Sequence, residues 1–130
     1  MRIVVDASAI VQFIAREDDD RIAAVLGERH DLHVPAVCDV EVVGGLAKHV
    51  RNSLLSPEEA REALIDYVSM PLARHLHVGH VARTFELSSN FAAADASYVA
   101  LAEALGAGLV TLDGPLGRAI RRHTSVEVIP

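Results

Sequence analysis

The chain lacks tryptophan altogether, and only 4% of its 130 residues are aromatic, so stacking platforms for single-stranded nucleic acid are scarce. A single cysteine, Cys38, excludes an internal disulfide framework and any zinc site built from several thiolates. No apolar run approaches the ~18 residues that a membrane span needs. At the N-terminus MRIVVD begins on a strand-like pattern, with no charged-then-apolar leader. Positive charge is in the minority: 12 Lys and Arg stand against 18 Asp and Glu, a formal net charge of −6. That balance argues against a protein that coats duplex DNA, which needs many phosphate-neutralising side chains. It leaves room for an enzyme that clusters carboxylates and keeps a few arginines nearby. Hydrophobic residues make up 51% and charged ones 23%, which excludes a disordered chain. The length suits one domain, residues 1–130, able to fold without staples. The sequence reads as that of a soluble, cytoplasmic, single-domain protein.

Residues 3–5 form a short β-branched run of the kind found in a fully buried strand. Asp6-Ala7-Ser8 then introduces Ala9, Ile10, Phe13 and Ile14 at helical spacing. The acidic run 18–20 predicts a solvated loop that caps a helix over 21–27. Residues 32–35 read as a second strand, and 37–51 as a helix with the apolar stripe Val37, Val40, Val43, Ala47 and Val50. Ser56-Pro57-Glu58-Glu59 is the clearest start signal, with an N-cap serine, proline at the first helical position and glutamate at the third. That helix runs to about residue 69, ahead of Met70-Pro71. Residues 75–78 alternate polar and apolar and predict a half-exposed strand. Helices follow over 81–87 and 95–105, the latter closed by Gly106. A strand over 109–112, a helix over 115–122 and a last strand over 126–129 complete the order. Strands alternate with helices, and runs such as IVV and LVTL are apolar without alternation. Together they predict a three-layer α/β/α sandwich around a mainly parallel sheet.

Ligands of open parallel sheets bind beyond the C-terminal ends of the strands. Asp6 and Asp113 end the expected strands 3–5 and 109–112, and parallel strands bring both to one edge. Helices that follow such strands begin on that edge too. Glu41 lies one turn into the helix after Val34-Pro35, and Asp95 opens the helix containing Tyr98, Leu101, Ala102 and Leu105. At about 100° per residue, Glu41 falls on the flank of its stripe, in line with Gly44 and Lys48. Asp95 falls on the side of Val99 and Ala102, with Ser97 and Glu103 facing away. Two carboxylates ~4 Å apart repel by about 4 kcal/mol at an effective dielectric near ~20. A hard divalent cation removes that repulsion, and oxygen ligands suit Mg2+ or Mn2+ over Zn2+. With waters left on the metal, such a site can activate one for in-line attack on a phosphodiester. Each acid also has an ordinary reading. Asp6, Ser8 or Asp95 can cap a helix, Asp113-Gly114-Pro115 can be a turn, and Glu41 can pair with Lys48. The joint placement on one sheet edge is what points to chemistry.

At these residues the sequence resembles the PIN-domain nucleases, in particular the VapC-type toxins of toxin–antitoxin pairs. Asp6-Ala7-Ser8-Ala9-Ile10 after an N-terminal strand resembles the family's first motif, and Pro35 with Glu41 six residues on resembles the second. Asp95-Ala96-Ser97-Tyr98-Val99-Ala100-Leu101-Ala102 resembles the third, and Leu109-Val110-Thr111-Leu112-Asp113 the fourth. The likeness runs through the whole chain in order. It implies that Asp6, Glu41, Asp95 and Asp113 form a catalytic acidic site holding Mg2+ or Mn2+. Ser8 and Thr111 would then orient those carboxylates or a metal-bound water. The implied activity is endoribonuclease cleavage of single-stranded RNA regions, which inhibits translation until a cognate antitoxin binds; a homodimer is implied as well. One position departs from the pattern. VapC-type proteins commonly carry a basic residue after the fourth aspartate, and here Gly114-Pro115 follows it. Arg118, Arg121 and Arg122 are spaced i, i+3 and i+4 and so share a helix face. That stripe reads as a grip on RNA phosphates, as an exposed helix face, or as a surface for an acidic antitoxin segment. Lys48 and Arg51 are weaker candidates of the same kind.

Other features carry less. His75 and His77 would point the same way on a strand, as two zinc ligands must, yet no cysteine or positioned acid accompanies them or His80. They read as a half-exposed strand face. Cys38 lies near a helix N-terminus, where a thiol pKa can fall, but lacks a partner and reads as a small apolar residue. Tyr98 reads as a core residue within reach of Asp95. An aspartyl-phosphate phosphatase needs a second aspartate two residues after the first, and Ser8 stands there. A phosphorylated receiver needs an aspartate ending its third strand, where His77-Val78-Gly79 offers none. The alternative left standing is a PIN-like domain that binds RNA or a partner without cutting.

Overall fold

Ile3, Val4 and Val5 are almost wholly buried, as a strand covered on both faces must be. They belong to β1 (Arg2–Val5), the central strand of a five-stranded sheet. The computed structural model describes residues 1–15, 20–27 and 31–129. The remaining strands are β2 (Asp31–Pro35), β3 (Leu72–His75), β4 (Gly108–Val110) and β5 (Val128–Ile129). Their order across the sheet is β3-β2-β1-β4-β5, and every neighbouring pair is parallel.

The helices are α1 (Ala7–Ile14), α2 (Asp20–Gly27), α3 (Cys38–Arg51), α4 (Pro57–Ser69), α5 (Val81–Leu87), α6 (Ala93–Leu105) and α7 (Gly114–His123). The chain winds from β1 outward to β3, then crosses back to β4 and on to β5. Right-handed crossovers therefore place α1–α4 on one face and α5–α7 on the other. Contacts agree, with α1, α3 and α4 packed on one another and α6 lying across β1, β2 and β4 under α5. This is the expected three-layer sandwich. The winding reverses between β1 and β4, so the crevice beyond their C-terminal ends is the place where such sheets bind ligands.

Local signals explain most element ends. Ser56 accepts from the Glu59 N–H at 3.1 Å, and Glu59 accepts from the Ser56 N–H at 2.9 Å, a complete capping box. Gly106 closes α6 in the left-handed region, at φ 61. Other expectations are corrected. The strand expected over 75–78 is three residues earlier, because β3 is fixed by pairing with β2 from Leu32↔Leu72 to Pro35↔His75. His75 and His77 thus share no strand face, and Val78–His80 is a 3-10 turn. The strand expected over 109–112 ends at Val110, because the N–H groups of Leu112 and Asp113 are taken by side-chain hydroxyls. In α3 the buried face is Cys38, Val42 and Leu46, while Val40 and Val43 are 72% and 53% exposed. The valines mark the wrong stripe because the helix is oriented by its packing on α1 and α4. In α6, Ser97 is buried and does not face away, since the helix is covered all round from Ala96 to Ala102. Of the acidic run, Asp18 and Asp19 lie outside the described residues, and Asp20 opens α2.

A Cβ placed on Gly45 would lie 2.8 Å from Val11 Cγ2, so α1 meets the bare backbone of α3 there. Gly45→Val is expected to lower the free energy of unfolding by about 1–3 kcal/mol through overpacking. Gly44 has open space around it, and Gly44→Ala is expected to raise stability by up to ~1 kcal/mol through helix propensity. Urea unfolding of the two variants beside the wild type checks both signs, and equal midpoints would contradict the packing described.

Candidate active site

Asp6 is the first residue after β1 and sits at the N-cap position of α1, yet its side chain makes no capping bond. Its backbone carbonyl receives the N–H groups of Ala9 and Ile10, and its own N–H donates to the Val110 carbonyl at 2.8 Å. The carboxylate is turned elsewhere. Oδ2 accepts from Ser8 Oγ at 2.7 Å and from Thr111 Oγ1 at 2.8 Å. A hydroxyl can donate and accept together, and both do so here. Ser8 Oγ accepts from the Leu112 N–H at 3.1 Å, and Thr111 Oγ1 from the Asp113 N–H at 3.0 Å. The loop after β1 and the loop after β4 are thereby joined through one carboxylate oxygen, in a residue only 6% exposed.

The other three acids converge on this point from separate elements. Asp113 caps α7, its Oδ1 accepting from the Leu116 N–H at 3.0 Å, so the segment read as an ordinary turn is the start of a helix. Glu41 comes from the first turn of α3 and Asp95 from the first turn of α6, on opposite faces of the sheet. Glu41 is not paired with Lys48; its Oε1 is buried with no hydrogen-bond partner. Burial, with Asp6 nearby, pushes its carboxyl upward despite the neighbouring Tyr98 hydroxyl. Asp95 is pushed up to about 6, first by burial and then by the charges of Asp6, Glu41 and Asp113. All four line one cavity of about 540 Å³, with Ser8 and Lys48 among its other walls. Gln12 and His49 line it too, and neither is singled out by composition or motif. Their spacing was the available signal, because Gln12 is four residues after Ser8 and His49 eight after Glu41, on the same helix faces.

The donor set suits a hard divalent cation. Its four acids offer oxygen ligands, one of them orphaned, and Asp95 is pushed up first by burial and then by its negative neighbours. Among the described residues no three acid, imidazole or thiol groups already form a gathered metal-binding set. An ion of the Mg2+ type does not need one, since it binds through one or two carboxylates and keeps several waters.

The arginine stripe divides. Arg118 folds back over the position where Gly114 has no side chain, with Nη1 3.2 Å from where a Cβ would be. Arg121 lies near Gly117, and Arg122 lines a different cavity with Arg83, Glu103 and His123. That second cavity is larger, about 840 Å³, but opens at the other end of the strands, beside Gly106 and Gly108. Its Glu103 is paired with Arg83 at 2.8 Å, which leaves Glu127 as its one other carboxylate, against four in the first. The i, i+3, i+4 rule places Cα atoms, whereas long side chains choose their own direction. Lys48 lines the acidic cleft and is the stronger of the two remaining cations. His33, His75 and His77 are engaged elsewhere. His33 Nδ1 and His75 Nε2 share a hydrogen bond of 2.8 Å, His33 Nε2 lies 2.9 Å from Asp31, and His77 Nε2 accepts from the Val37 N–H. Cys38 is fully buried, which pushes its thiol upward, as a small apolar packing residue should be.

The sequence matches the PIN domain family over residues 3–120. It is 37% identical over 128 residues to Ribonuclease VapC9 of Mycobacterium tuberculosis, covering 98% of each chain. It is 33% identical over 127 residues to Ribonuclease VapC12 of the same organism, again over 98% of each. Among solved structures, VapBC2 from Rickettsia felis, bound to a DNA fragment from its promoter, superposes with a TM-score of 0.70 at 16% identity. That likeness covers 99% of this chain and 98% of the other, and concerns the fold.

Asp95 titrates near 6 in the fold against an ordinary value of 3.8. Between those values the folded state holds more protons, so the contribution of Asp95 to stability falls as pH rises through that window. In EDTA, Asp95→Asn is expected to melt at a higher temperature than the wild type above about pH 6, with the difference fading toward about pH 4. Melting curves across that range check it, and a difference independent of pH would contradict it.

Proposed function

Since the chain belongs to the PIN-domain family and to its VapC ribonucleases, we propose that it is a metal-dependent endoribonuclease toxin. In this reading it cuts single-stranded regions of RNA in the cytoplasm, inhibits translation and is neutralised by a cognate antitoxin protein. The observation that carries it is the crowding of Asp6, Glu41, Asp95 and Asp113 on one cleft, with Asp95 pushed up to about 6 by burial and then by its acidic neighbours. Those four acids would hold Mg2+ or Mn2+. When bound, the cation supplies an activated water for in-line attack and neutralises charge on the phosphodiester.

The chain's own residues do the rest. Ser8 and Thr111 fix the Asp6 carboxylate in one orientation, the supporting role that ligand carboxylates require. Lys48 on one wall of the cleft and Arg118 folded over Gly114 are the cations set to meet RNA phosphates. Arg118 stands over Gly114, where related proteins place a basic residue, and its guanidinium can grip a phosphate by two parallel bonds. The directions of Arg121 and Arg122 suit a surface role. Exposed Val78, Phe85 and Leu76, at 79%, 79% and 76%, suit pairing of two copies in a homodimer. No helix among the described residues is long and apolar enough to cross a membrane.

The test is cleavage of a mixed RNA pool by antitoxin-free protein with Mg2+, Mn2+ or EDTA. Cutting is expected with either metal and not in EDTA, to be lost in Asp6→Asn, and to fall about 10–100-fold in Thr111→Val. Cutting by Asp6→Asn, or in EDTA, would overturn the proposed site. No cutting by the folded wild type under any condition would favour a PIN-like domain that only binds.

A further inference from the structure

Behind the acidic cleft two buried polar atoms lack a hydrogen-bond partner, the Tyr98 hydroxyl oxygen and Glu41 Oε1. Tyr98 is wholly buried. The polar groups that act on its hydroxyl are the Cys38 thiol and the Glu41 carboxyl, at the start of α3, and Asp95, which the sequence suggests, is not among them. The two orphans are complementary, because a phenol rotates its O–H freely and a carboxylate oxygen accepts. The sulfur of Cys38 is a poor competitor as an acceptor. Phenylalanine would fill this apolar position without leaving a polar atom to satisfy, so the oxygen calls for a role.

We propose that Tyr98 is a positioning residue for the acidic site, its hydroxyl donating to Glu41 Oε1 so that the other carboxylate oxygen is presented to the cleft. The inference rests on the metal reading above. It explains how one helix serves two acids. Asp95 enters the cleft from the first turn of α6, and Tyr98, one turn later, passes behind it to hold Glu41 of α3. The helical layers on the two faces of the sheet are then coupled at the metal-facing edge. Because the bond lies behind the carboxylate, Tyr98 need not touch metal or RNA.

The test is Mn2+ binding by the purified chain, followed through loss of the free-ion electron paramagnetic resonance signal, with near-UV circular dichroism to report the fold. Tyr98→Phe is expected to bind Mn2+ about 10-fold more weakly than the wild type. In a Glu41→Gln background the same change is expected to do nothing further, because its effect runs through Glu41. A purely packing role would weaken binding in both backgrounds. Cys38→Ala leaves the hydroxyl no acceptor but Glu41, and is expected to keep or tighten Mn2+ binding whether or not Tyr98→Phe folds. Unchanged affinity in Tyr98→Phe, an equal loss in the Glu41→Gln background, or a 10-fold loss in Cys38→Ala would overturn the proposal. Failure of the wild type to bind Mn2+ would instead remove the metal reading itself, and this one with it.

Discussion

Ser8 and Thr111 both donate to one oxygen of Asp6, and each of them receives a backbone N–H from the segment that follows β4. This exchange joins the ends of the two adjacent parallel strands at the place where the sheet's winding reverses. It also ends β4 early, because the N–H groups that would continue the ladder are bonded to hydroxyls. Asp113 is consequently set at the cap of α7. The carboxylate is thus oriented before any ligand arrives, and its second oxygen accepts no hydrogen bond from the described residues. Charge-assisted bonds of this kind are the stronger ones, and here they serve geometry as much as stability.

Around this fixed point the protein gathers more negative charge than it neutralises. Glu41 and Asp95 are both raised, and in each burial leads and the other acids add to it. A fold under selection for stability alone would replace such groups with neutral ones, since like charges in a half-buried crevice oppose folding. Their retention is intelligible if the site works with a cation in place. The same residues explain why the larger cavity at the other end of the strands is a poorer candidate. There, Arg83 and Glu103 already satisfy one another, and Glu127 is the one other acid in the lining.

Much of this was legible in the sequence. Asp6, Glu41, Asp95 and Asp113 could be placed on one edge because strand ends and helix starts were marked by local signals, the capping box at Ser56 and Gly106 among them. Ser8 and Thr111 were legible as neighbours of aspartates. What escaped was set by partners distant in the chain. The register of β3 depends on β2, and the buried stripe of α3 on Val11 at Gly45. Ser97 is buried because α6 is packed on both the sheet and α5. Arg122 turns away from Arg118 because the two ends of α7 face different cavities. Tyr98 looks close to Asp95 because both lie on one helix, yet its hydroxyl is five carbons beyond the backbone, and the groups that act on it belong to α3.

The central claim is that the four carboxylates are held together for a divalent cation. The most direct measurement is a crystal structure of the antitoxin-free chain soaked in Mn2+, with the metal located by its anomalous scattering. The account predicts a peak in the cleft, coordinated by carboxylate oxygens of Asp6 and Asp95, with Glu41 and Asp113 as ligands directly or through water. A well-ordered crystal with no peak there, or with Mn2+ bound only at the His33–His75 edge of the sheet, would contradict it.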